Sequence, residues 1–249
     1  MKLLFAARPL TGHVYPLLPL ARAASARGHE VAFATGAPML DDLRRRGLTT
    51  FAAGLGDEGR REFHRRFPPL AMLPPDAQRA LFWGELFAGI ELGPRLASLG
   101  TIIRGWRPDV IVHDVAELGT PIAATEAGIP YATAGFGLTI PPELVACAAA
   151  AAAPHWRAHG LDAPPRAGLY QHLYVDPCPI SLRAGQLENM PRQPIRLTAN
   201  VGQPPRWLAA LPGPVVYLTL GTVWNTDHAL FGRVLDAIQT LPISVVVTL

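Results

Sequence analysis

The sequence predicts an α/β fold built around a parallel, Rossmann-like sheet. Short apolar runs at residues 3–7, 31–34 and 49–52 alternate with two segments in which apolar residues recur at helical spacing. Strands that alternate with helices form βαβ units, whose parallel sheet is covered by helices on both faces. Gly28 and Gly47 follow the two helical segments, at positions where glycine commonly ends a helix.

The pattern resumes in the middle of the chain after an interruption. Residues 54–80 are rich in charges, aromatic residues and paired prolines, and they break the alternation of strand and helix. We expect one long helix over residues 76–104, kinked near Gly93 and Pro94. A strand, a helix and a second strand then follow, at residues 110–112, 117–127 and 131–134.

Alanine and proline guide the prediction for the next part of the chain. The alanine tract 148–153 predicts a helix that ends at Pro154, because alanine is the best helix former and proline lacks the N–H donor. The many prolines between residues 160 and 213 predict loops and a linker. After Pro214 the strand–helix–strand pattern restarts, at residues 215–220, 227–240 and 243–249.

These elements predict two domains. Residues 1–195 are expected to form an N-terminal domain, residues 196–213 a linker, and residues 214–249 the first βαβ unit of a second Rossmann-like domain. A two-stranded piece cannot make a core by itself. We therefore expect the second domain to be truncated in this chain.

Composition excludes several classes of protein. With 49% apolar and 16% charged residues, the chain has enough apolar surface for a core. The net charge is only +3, and the arginine clusters come without a nucleic-acid recognition motif, so nucleic acid is not an expected partner. Two cysteines and the lack of a metal-ligand spacing argue against a disulfide framework or a zinc site. The first apolar run is too short for a signal peptide and no run reaches transmembrane length, so we expect a cytoplasmic protein without a membrane span.

Two polar segments follow strands of the predicted sheet. Gly12 and His13 come after the first strand, and His113 and Asp114 after the fourth. In open parallel sheets, ligands bind outside the carboxyl ends of the strands. An imidazole beside a carboxylate is suited to general-base catalysis. The alternative is that His13 and Asp114 only cap the helices that follow them.

Two glycine patterns bear on nucleotide binding. The Gly-x-Gly-x-x-Gly fingerprint does not follow the first strand, which disfavours a nicotinamide- or flavin-dependent reductase. Gly221 and Thr222 follow the strand at 215–220, where backbone N–H groups at a helix entry can bind an anion.

Three blocks of sequence resemble one known family. TGHVYPLLPLARAASARGHEVAFAT resembles the first βαβ unit of the family 1 type of nucleotide-sugar-dependent glycosyltransferases with the GT-B fold, which include the macrolide and polyketide enzymes of actinomycetes. RPDVIVHDVAELGTPIAATEAGIPYATAGFG resembles the segment that carries the family's acidic residue. PRWLAALPGPVVYLTLGTVWN resembles the interdomain linker and the first strand of the nucleotide-binding domain.

The resemblance implies roles for individual residues. His13 aligns with the family's general base and Asp114 with the carboxylate that orients it, while Gly12, Gly221 and Thr222 are the expected donor-binding residues. The implied reaction is an inverting transfer of sugar from a UDP- or TDP-sugar to a hydroxyl of a small hydrophobic natural product, as in antibiotic biosynthesis. Neither a metal nor a resident cofactor is expected, because helix N-termini and hydrogen-bond donors can stabilise the leaving diphosphate.

Four aromatic residues are candidates for the acceptor pocket. Phe82, Trp83, Phe87 and Phe136 lie in the segments where the resemblance is weak or at the end of a strand, and an apolar pocket would suit a flat aglycone. The first three also have helical spacing, which is equally typical of core residues.

The chain departs from the family after residue 249. Family members continue with a His- and Gly-rich motif and an acidic residue that hold the nucleotide and the sugar, so we expect little or no activity from this polypeptide alone. The alternative function is a non-catalytic module that binds an acceptor or stabilises a partner. A homodimer or a complementing C-terminal half is the macromolecular partner left open.

Overall fold

A computed structural model describes residues 1–67, 70–182, 190–196, 198, 203–221 and 227–248. The chain separates into two compact units, Met1–Ala199 and Asn200–Leu249. The first unit contains a seven-stranded sheet in which each pair of neighbouring strands is parallel. Its strands are β1 Lys2–Ala6, β2 Glu30–Thr35, β3 Thr49–Ala52, β4 Val110–Asp114, β5 Tyr131–Ala134, β6 Leu173–Asp176 and β7 Arg192–Pro194. The predicted α/β class with a Rossmann-like parallel sheet is confirmed.

The strand order is β3-β2-β1-β4-β5-β6-β7, so the chain winds outward in two directions from the centre of the sheet. Helices connect the strands of the first unit. They are α1 Thr11–Val14, α2 Leu18–Ala26, α3 Ala37–Arg45, α4 Asp57–Arg66, α5 Pro75–Leu81, a π-helix Phe82–Ile90, α6 Leu92–Trp106, α7 Gly119–Ala127 and α8 Pro142–Ala158.

Side chains of β1 alternate between two hydrophobic clusters, because successive residues of a strand point to opposite faces. Leu4 belongs to the cluster that also holds residues of α6, α7 and α8, whereas Phe5 belongs to the cluster with residues of α1, α2 and α3. Both side chains are fully buried. The central strands are thus covered on both faces, which explains their nearly continuous apolar sequences.

Several helices lie between residues 54 and 106, where the sequence predicted one kinked helix over residues 76–104. Asp57–Arg66 forms α4, within the region where the alternation of strand and helix was expected to break. The long helix is divided: the segment Pro75–Ile90 and α6 meet at an angle of 49°. The break lies at Glu91, where the backbone N–H bonds to the carbonyl of Leu86, five residues earlier, as in a π-helix.

Two predictions based on proline were wrong. Pro154 does not end the alanine-rich helix, because α8 continues to Ala158 and its last turn is anchored by the buried side chain of Trp156. The region 160–213 is not only loop and linker, since it contains β6 and β7. Proline usually weakens a sheet because it cannot donate a hydrogen bond to the neighbouring strand. Pro194 is tolerated because it lies at the end of an edge strand, where that N–H donor is not needed.

The second unit contains one parallel βαβ arrangement. Its strands β8 Val215–Thr219 and β9 Ser244–Thr248 pair in parallel. Helix α9, His228–Ile238, lies between them in sequence, and Asp227 caps it by accepting a hydrogen bond from the N–H of Leu230. This arrangement agrees with the predicted first βαβ unit. The boundaries at 195, 196–213 and 214 stay predictions.

Among the described residues, no single helix is long and apolar enough to cross a membrane. The bent pair formed by Pro75–Ile90 and α6 reaches that length and composition only together.

Candidate active site

The candidate site lies where the strand order reverses. Strands β1 and β4 are neighbours, and Ala6 pairs with His113 in parallel register. The chain leaves β1 toward α1 and leaves β4 toward α7, on connections that lead to opposite sides of the sheet order. Such a reversal leaves a crevice at the carboxyl ends of the two strands, which is where open α/β sheets bind ligands.

His13 and Asp114 meet at this crevice although 101 positions separate them. His13 lies in the short helix α1, and Asp114 is the last residue of β4. The Nδ1 atom of His13 is 2.9 Å from Oδ1 of Asp114. The carboxylate is buried, with 1% of its side chain exposed, while 15% of the histidine side chain remains exposed. The imidazole can therefore reach a ligand, and its carboxylate partner cannot.

Asp114 is held as an anion by three hydrogen-bond donors. Its Oδ2 accepts from the backbone N–H of Arg8 at 2.7 Å, and its Oδ1 accepts from the backbone N–H of Ala116 at 2.8 Å as well as from His13. Burial alone would raise the pKa of this carboxyl, but the attraction of His13 and the hydrogen bonds from its donors outweigh burial and hold the pKa below its usual value.

The ionised carboxylate determines which nitrogen of His13 carries the proton. A carboxylate only accepts hydrogen bonds, so the Nδ1 atom that faces Asp114 carries the hydrogen. In the neutral ring, the lone pair then lies on Nε2. Neither His13 nor Asp114 caps the helix that follows it in the chain: His13 lies within α1, and Glu117 bonds to the first turn of α7.

Phe136 contacts the imidazole directly. It follows β5, the strand next to β4, and its ring centroid lies 4.8 Å from that of His13 in an edge-to-face arrangement. The ring is partly buried. Of the four aromatic candidates for the acceptor pocket, Phe136 is the one that the structure places beside the candidate base.

His113 belongs to the core and not to this crevice. It is fully buried, and its Nδ1 lies 2.9 Å from the carbonyl oxygens of both Asp114 and Glu117. Its Nε2 lies 3.0 Å from the hydroxyl oxygen of Thr133. Burial lowers the pKa of His113, so the ring is neutral, with Nδ1–H donating and Nε2 accepting. His113 therefore ties β4 to α7 and β5.

Glu117 holds the beginning of α7. Its carboxylate accepts hydrogen bonds from the backbone N–H groups of Gly119 and Thr120 and from the hydroxyl of Thr120. One of its oxygens also lies 3.7 Å from Nε of Arg95. An anion at a helix N-terminus is favoured by the helix dipole. This arrangement fixes the segment that follows Asp114.

Arg8 and Glu91 form a buried ion pair beside the crevice, and neither residue was among the predicted site residues. Nη1 and Nη2 of Arg8 lie 2.5 and 3.2 Å from the two carboxylate oxygens of Glu91. The guanidinium carbon of Arg8 lies 3.6 Å from the ring centroid of Phe87. The only signal in the sequence was an arginine directly after the first strand.

The other aromatic candidates lie in the π-helix. Phe82 is partly buried and stacks on Phe63, with ring centroids 5.2 Å apart. Trp83 is buried in the core, with 7% of its surface exposed, and its ring meets that of Phe87 edge to face at 5.5 Å. Acceptor binding by these residues stays a prediction.

The predicted donor-binding residues fall in different parts of the chain. Gly12 is exposed in α1, and a Cβ atom added there would meet nothing within 4 Å. Gly221 lies in the second unit in a left-handed conformation, with φ of 77°, which favours glycine. Thr222 lies outside the described residues. Within the described ranges, no cluster of three or more His, Cys, Asp or Glu side chains could hold a metal ion.

Fold and site together define a doubly wound α/β protein with a partly exposed histidine and a buried carboxylate at the strand-order reversal. Residues 92–212 match the family described as "Erythromycin biosynthesis protein CIII-like, N-terminal domain". The chain is 32% identical over 228 residues to L-demethylnoviosyl transferase of Streptomyces niveus, covering 89% of this chain and 57% of that protein. It is 27% identical to aclacinomycin-T 2-deoxy-L-fucose transferase of Streptomyces galilaeus, covering 100% of this chain and 67% of that protein.

Solved structures show the same fold. The glycosyltransferase SsfS6 of Streptomyces sp. SF2575, complexed with thymidine diphosphate, matches with a TM-score of 0.78 and 24% identity over 100% of this chain and 67% of that one. The spinosyn rhamnosyltransferase SpnG matches with a TM-score of 0.75 and 25% identity over 100% of this chain and 66% of that one. The expected resemblance is confirmed: the chain is similar to the N-terminal portion of natural-product glycosyltransferases with the GT-B fold.

Proposed function

We propose that this chain is the acceptor-binding, base-carrying portion of an inverting glycosyltransferase that acts on a small hydrophobic natural product. The observation that carries the proposal is the contact between Nδ1 of His13 and Oδ1 of Asp114 at the strand-order reversal. The chain spans 57% of the length of L-demethylnoviosyl transferase, so sugar transfer is proposed for a protein in which a nucleotide-sugar-binding domain completes the site.

His13 would act as the general base. Its Nε2 accepts the proton of an acceptor hydroxyl while the hydroxyl oxygen forms a bond to the anomeric carbon of the donor. The bond from that carbon to the diphosphate breaks, and the nucleoside diphosphate leaves with the electron pair from the opposite face of the sugar. Asp114 keeps Nδ1 protonated and stabilises the imidazolium that forms. A positioned base of this kind accelerates a reaction by about 10²–10⁴-fold.

The donor is proposed to be a TDP- or UDP-sugar, bound without a metal ion. Support for a thymidine nucleotide comes from the thymidine diphosphate in the SsfS6 complex. Gly12, Gly221 and Thr222 are proposed as donor-binding residues. Backbone N–H groups can stabilise the developing charge of the diphosphate in place of a cation.

The acceptor is proposed to lie against Phe136. Because this partly buried ring contacts His13, a flat apolar aglycone packed against it would present a hydroxyl near the imidazole. Phe82, Trp83 and Phe87 are proposed to extend the apolar surface, with Trp83 contributing the least because most of it is buried.

A chimera tests the proposal. This chain replaces the matching N-terminal portion of L-demethylnoviosyl transferase, and the product is assayed with UDP-glucose and dTDP-glucose on a panel of aromatic polyketide and macrolide aglycones. We expect transfer with inversion at the anomeric carbon, read from the product by NMR. His13→Ala should lower kcat/KM by about 10²–10⁴-fold.

His159→Ala is the matched control. His159 also pairs with a carboxylate, Glu126, at 3.0 Å, but on the surface of the first unit and away from the crevice. Its loss should leave transfer unchanged. Undiminished transfer by the His13→Ala chimera would refute the assignment of the base.

A further inference from the structure

The connection between β1 and α1 carries the candidate base, and its own hydrogen bonds make it rigid. The carbonyl of Arg8 accepts from the N–H of Leu10 at 2.8 Å, and the carbonyl of Leu10 accepts from the N–H groups of His13 and Val14, both at 3.0 Å. These bonds join Arg8 to His13 through a closed stretch of backbone. A displacement of the Arg8 backbone would therefore also move the backbone of His13.

Arg8 is also joined to the carboxylate partner of the base. Its backbone N–H donates to Oδ2 of Asp114 at 2.7 Å, in a contact that is buried and spans 106 positions of sequence. Arg8 thus contacts one half of the dyad directly and holds the other half through Leu10. No other residue described above is connected to both.

The side chain of Arg8 is held by one residue of the π-helix, Phe87, and by Glu91, which directly follows it. Glu91 binds the guanidinium with both carboxylate oxygens, and Phe87 lies beneath it, one helical turn earlier. Only 6% of the Arg8 side chain and 12% of the Glu91 side chain are exposed. Glu91 also lies at the 49° bend between Pro75–Ile90 and α6.

A buried ion pair of this kind contributes little net stability, because desolvation of two charges offsets their attraction. Its main physical effect is geometric, since a bidentate guanidinium–carboxylate contact fixes both distance and orientation. π-Helical segments are frequent at functional sites.

We infer that Arg8 is the positioning residue of the dyad, coupling the His13–Asp114 contact to the π-helix through Glu91 and Phe87. The inference rests on the proposed function for its role in catalysis, but the coupling itself is a property of the folded chain. An acceptor that binds against the π-helix and displaces Glu91 would change the position of the base.

The test measures the Nδ1–H proton of His13 in the full 249-residue chain by ¹H–¹⁵N NMR, without substrate. A hydrogen bond to the buried Asp114 protects this proton from exchange with water. In Glu91→Gln, which leaves Arg8, His13 and Asp114 in place, we expect faster exchange and a shifted signal. Arg8→Met should show the same change. Arg8→Lys should show a smaller change, because lysine keeps the positive charge beside Glu91.

Leu99→Ala is the control for lost stability. Leu99 is fully buried in α6 and belongs to the same cluster as the residues of the π-helix, but it makes no contact in the hydrogen-bonded connection. The Nδ1–H signal of His13 in Leu99→Ala should match that of the wild type. An unchanged His13 signal in folded Glu91→Gln would overturn the inference, and this variant decides the question even if Arg8→Met does not fold.

The chimera adds a kinetic measurement. A positioning role predicts that Glu91→Gln lowers kcat by up to about 10²-fold while KM changes little, because misplacement of a catalytic group affects the chemical step. If the unsubstituted chimera transfers no sugar, the proposed function fails. The NMR result is obtained without turnover and judges the coupling separately.

Discussion

Replacing Asp114 by asparagine tests whether the site depends on the negative charge of this carboxylate and on the hydrogen bonds that it accepts. The substitution keeps the shape of the side chain but replaces one carboxylate oxygen by an NH₂ group, which donates and does not accept. If the NH₂ faces Arg8, two N–H donors oppose each other at the position of the present 2.7 Å hydrogen bond. If the NH₂ faces His13, it forces the imidazole to carry its proton on Nε2, and the lone pair needed for catalysis is lost.

The magnitude follows from the three hydrogen bonds that Asp114 accepts. In either placement, at least one buried donor loses its partner, which costs about 1–3 kcal/mol. For a protein of this size, that loss lowers Tm by about 2–12 °C. In the chimera, loss of the carboxylate charge, together with loss of the correct tautomer where the NH₂ faces His13, should lower kcat by about 10²–10⁴-fold.

The stability difference should also depend on pH. The pKa of Asp114 is lower in the folded protein than its usual value. The unfolded chain therefore binds a proton first as pH falls, and the contribution of Asp114 is complete above about pH 4 and is lost as pH falls through the folded pKa. The advantage of the wild type over Asp114→Asn should shrink as pH falls below about 4.

Urea unfolding of the 249-residue chain at a series of pH values measures this difference. The matched control is Asp109→Asn, because Asp109 accepts one exposed hydrogen bond, from the backbone N–H of Lys2 at 2.6 Å. This control should cost less than Asp114→Asn. Equal unfolding midpoints for the wild type and Asp114→Asn at neutral pH would refute the reasoning.

Three further predictions concern other parts of the molecule. Because burial lowers the pKa of His113, the unfolded state gains a proton that the folded state does not, so stability should fall by up to about 1.4 kcal/mol per pH unit as pH drops below about 6.5. Urea unfolding at pH 7.5 and 5.5 should show this slope, and His113→Gln should flatten it; an equal slope in both proteins would contradict it. Gly12→Ala should leave the urea midpoint equal or higher, because there is space for a Cβ atom and alanine favours the helix. If the diphosphate approaches α1 closely, the same substitution should raise KM for the nucleotide sugar in the chimera. An unchanged KM would remove Gly12 from the donor site. Transfer by the chimera should continue in EDTA at an undiminished rate, and a loss that Mg²⁺ restores would contradict a metal-free mechanism.

Much of the sheet could be predicted from local sequence. Residues 49–52 and 131–134 form strands with the predicted bounds, since short β-branched or aromatic runs between turn residues leave few alternatives. The predicted proximity of His13 and Asp114 followed from one rule about parallel sheets, because Asp114 ends one strand and His13 lies in the connection after its neighbour.

Proline and π-helical geometry could not be predicted in the same way. Pro154 was expected to end a helix, but the burial of Trp156 outweighs the lost hydrogen bond. The kink expected near Gly93 and Pro94 lies close to the observed break at Glu91, but helical periodicity did not predict that Phe82–Ile90 is a π-helix.

The sequence by itself determined the α/β class and placed polar residues near the carboxyl ends of two strands. These features depend on local spacing and on the rule that parallel strands present their carboxyl ends at one edge. The roles of His13 and Asp114 came from the family resemblance and stay a proposal. Only the tertiary structure decided that His113 is buried while His13 is partly exposed, and that Arg8 joins the dyad to the π-helix. The reason is physical. The protonation state of a titratable side chain, and whether a ligand can contact it, depend on burial and on partners that lie about a hundred positions away in the sequence.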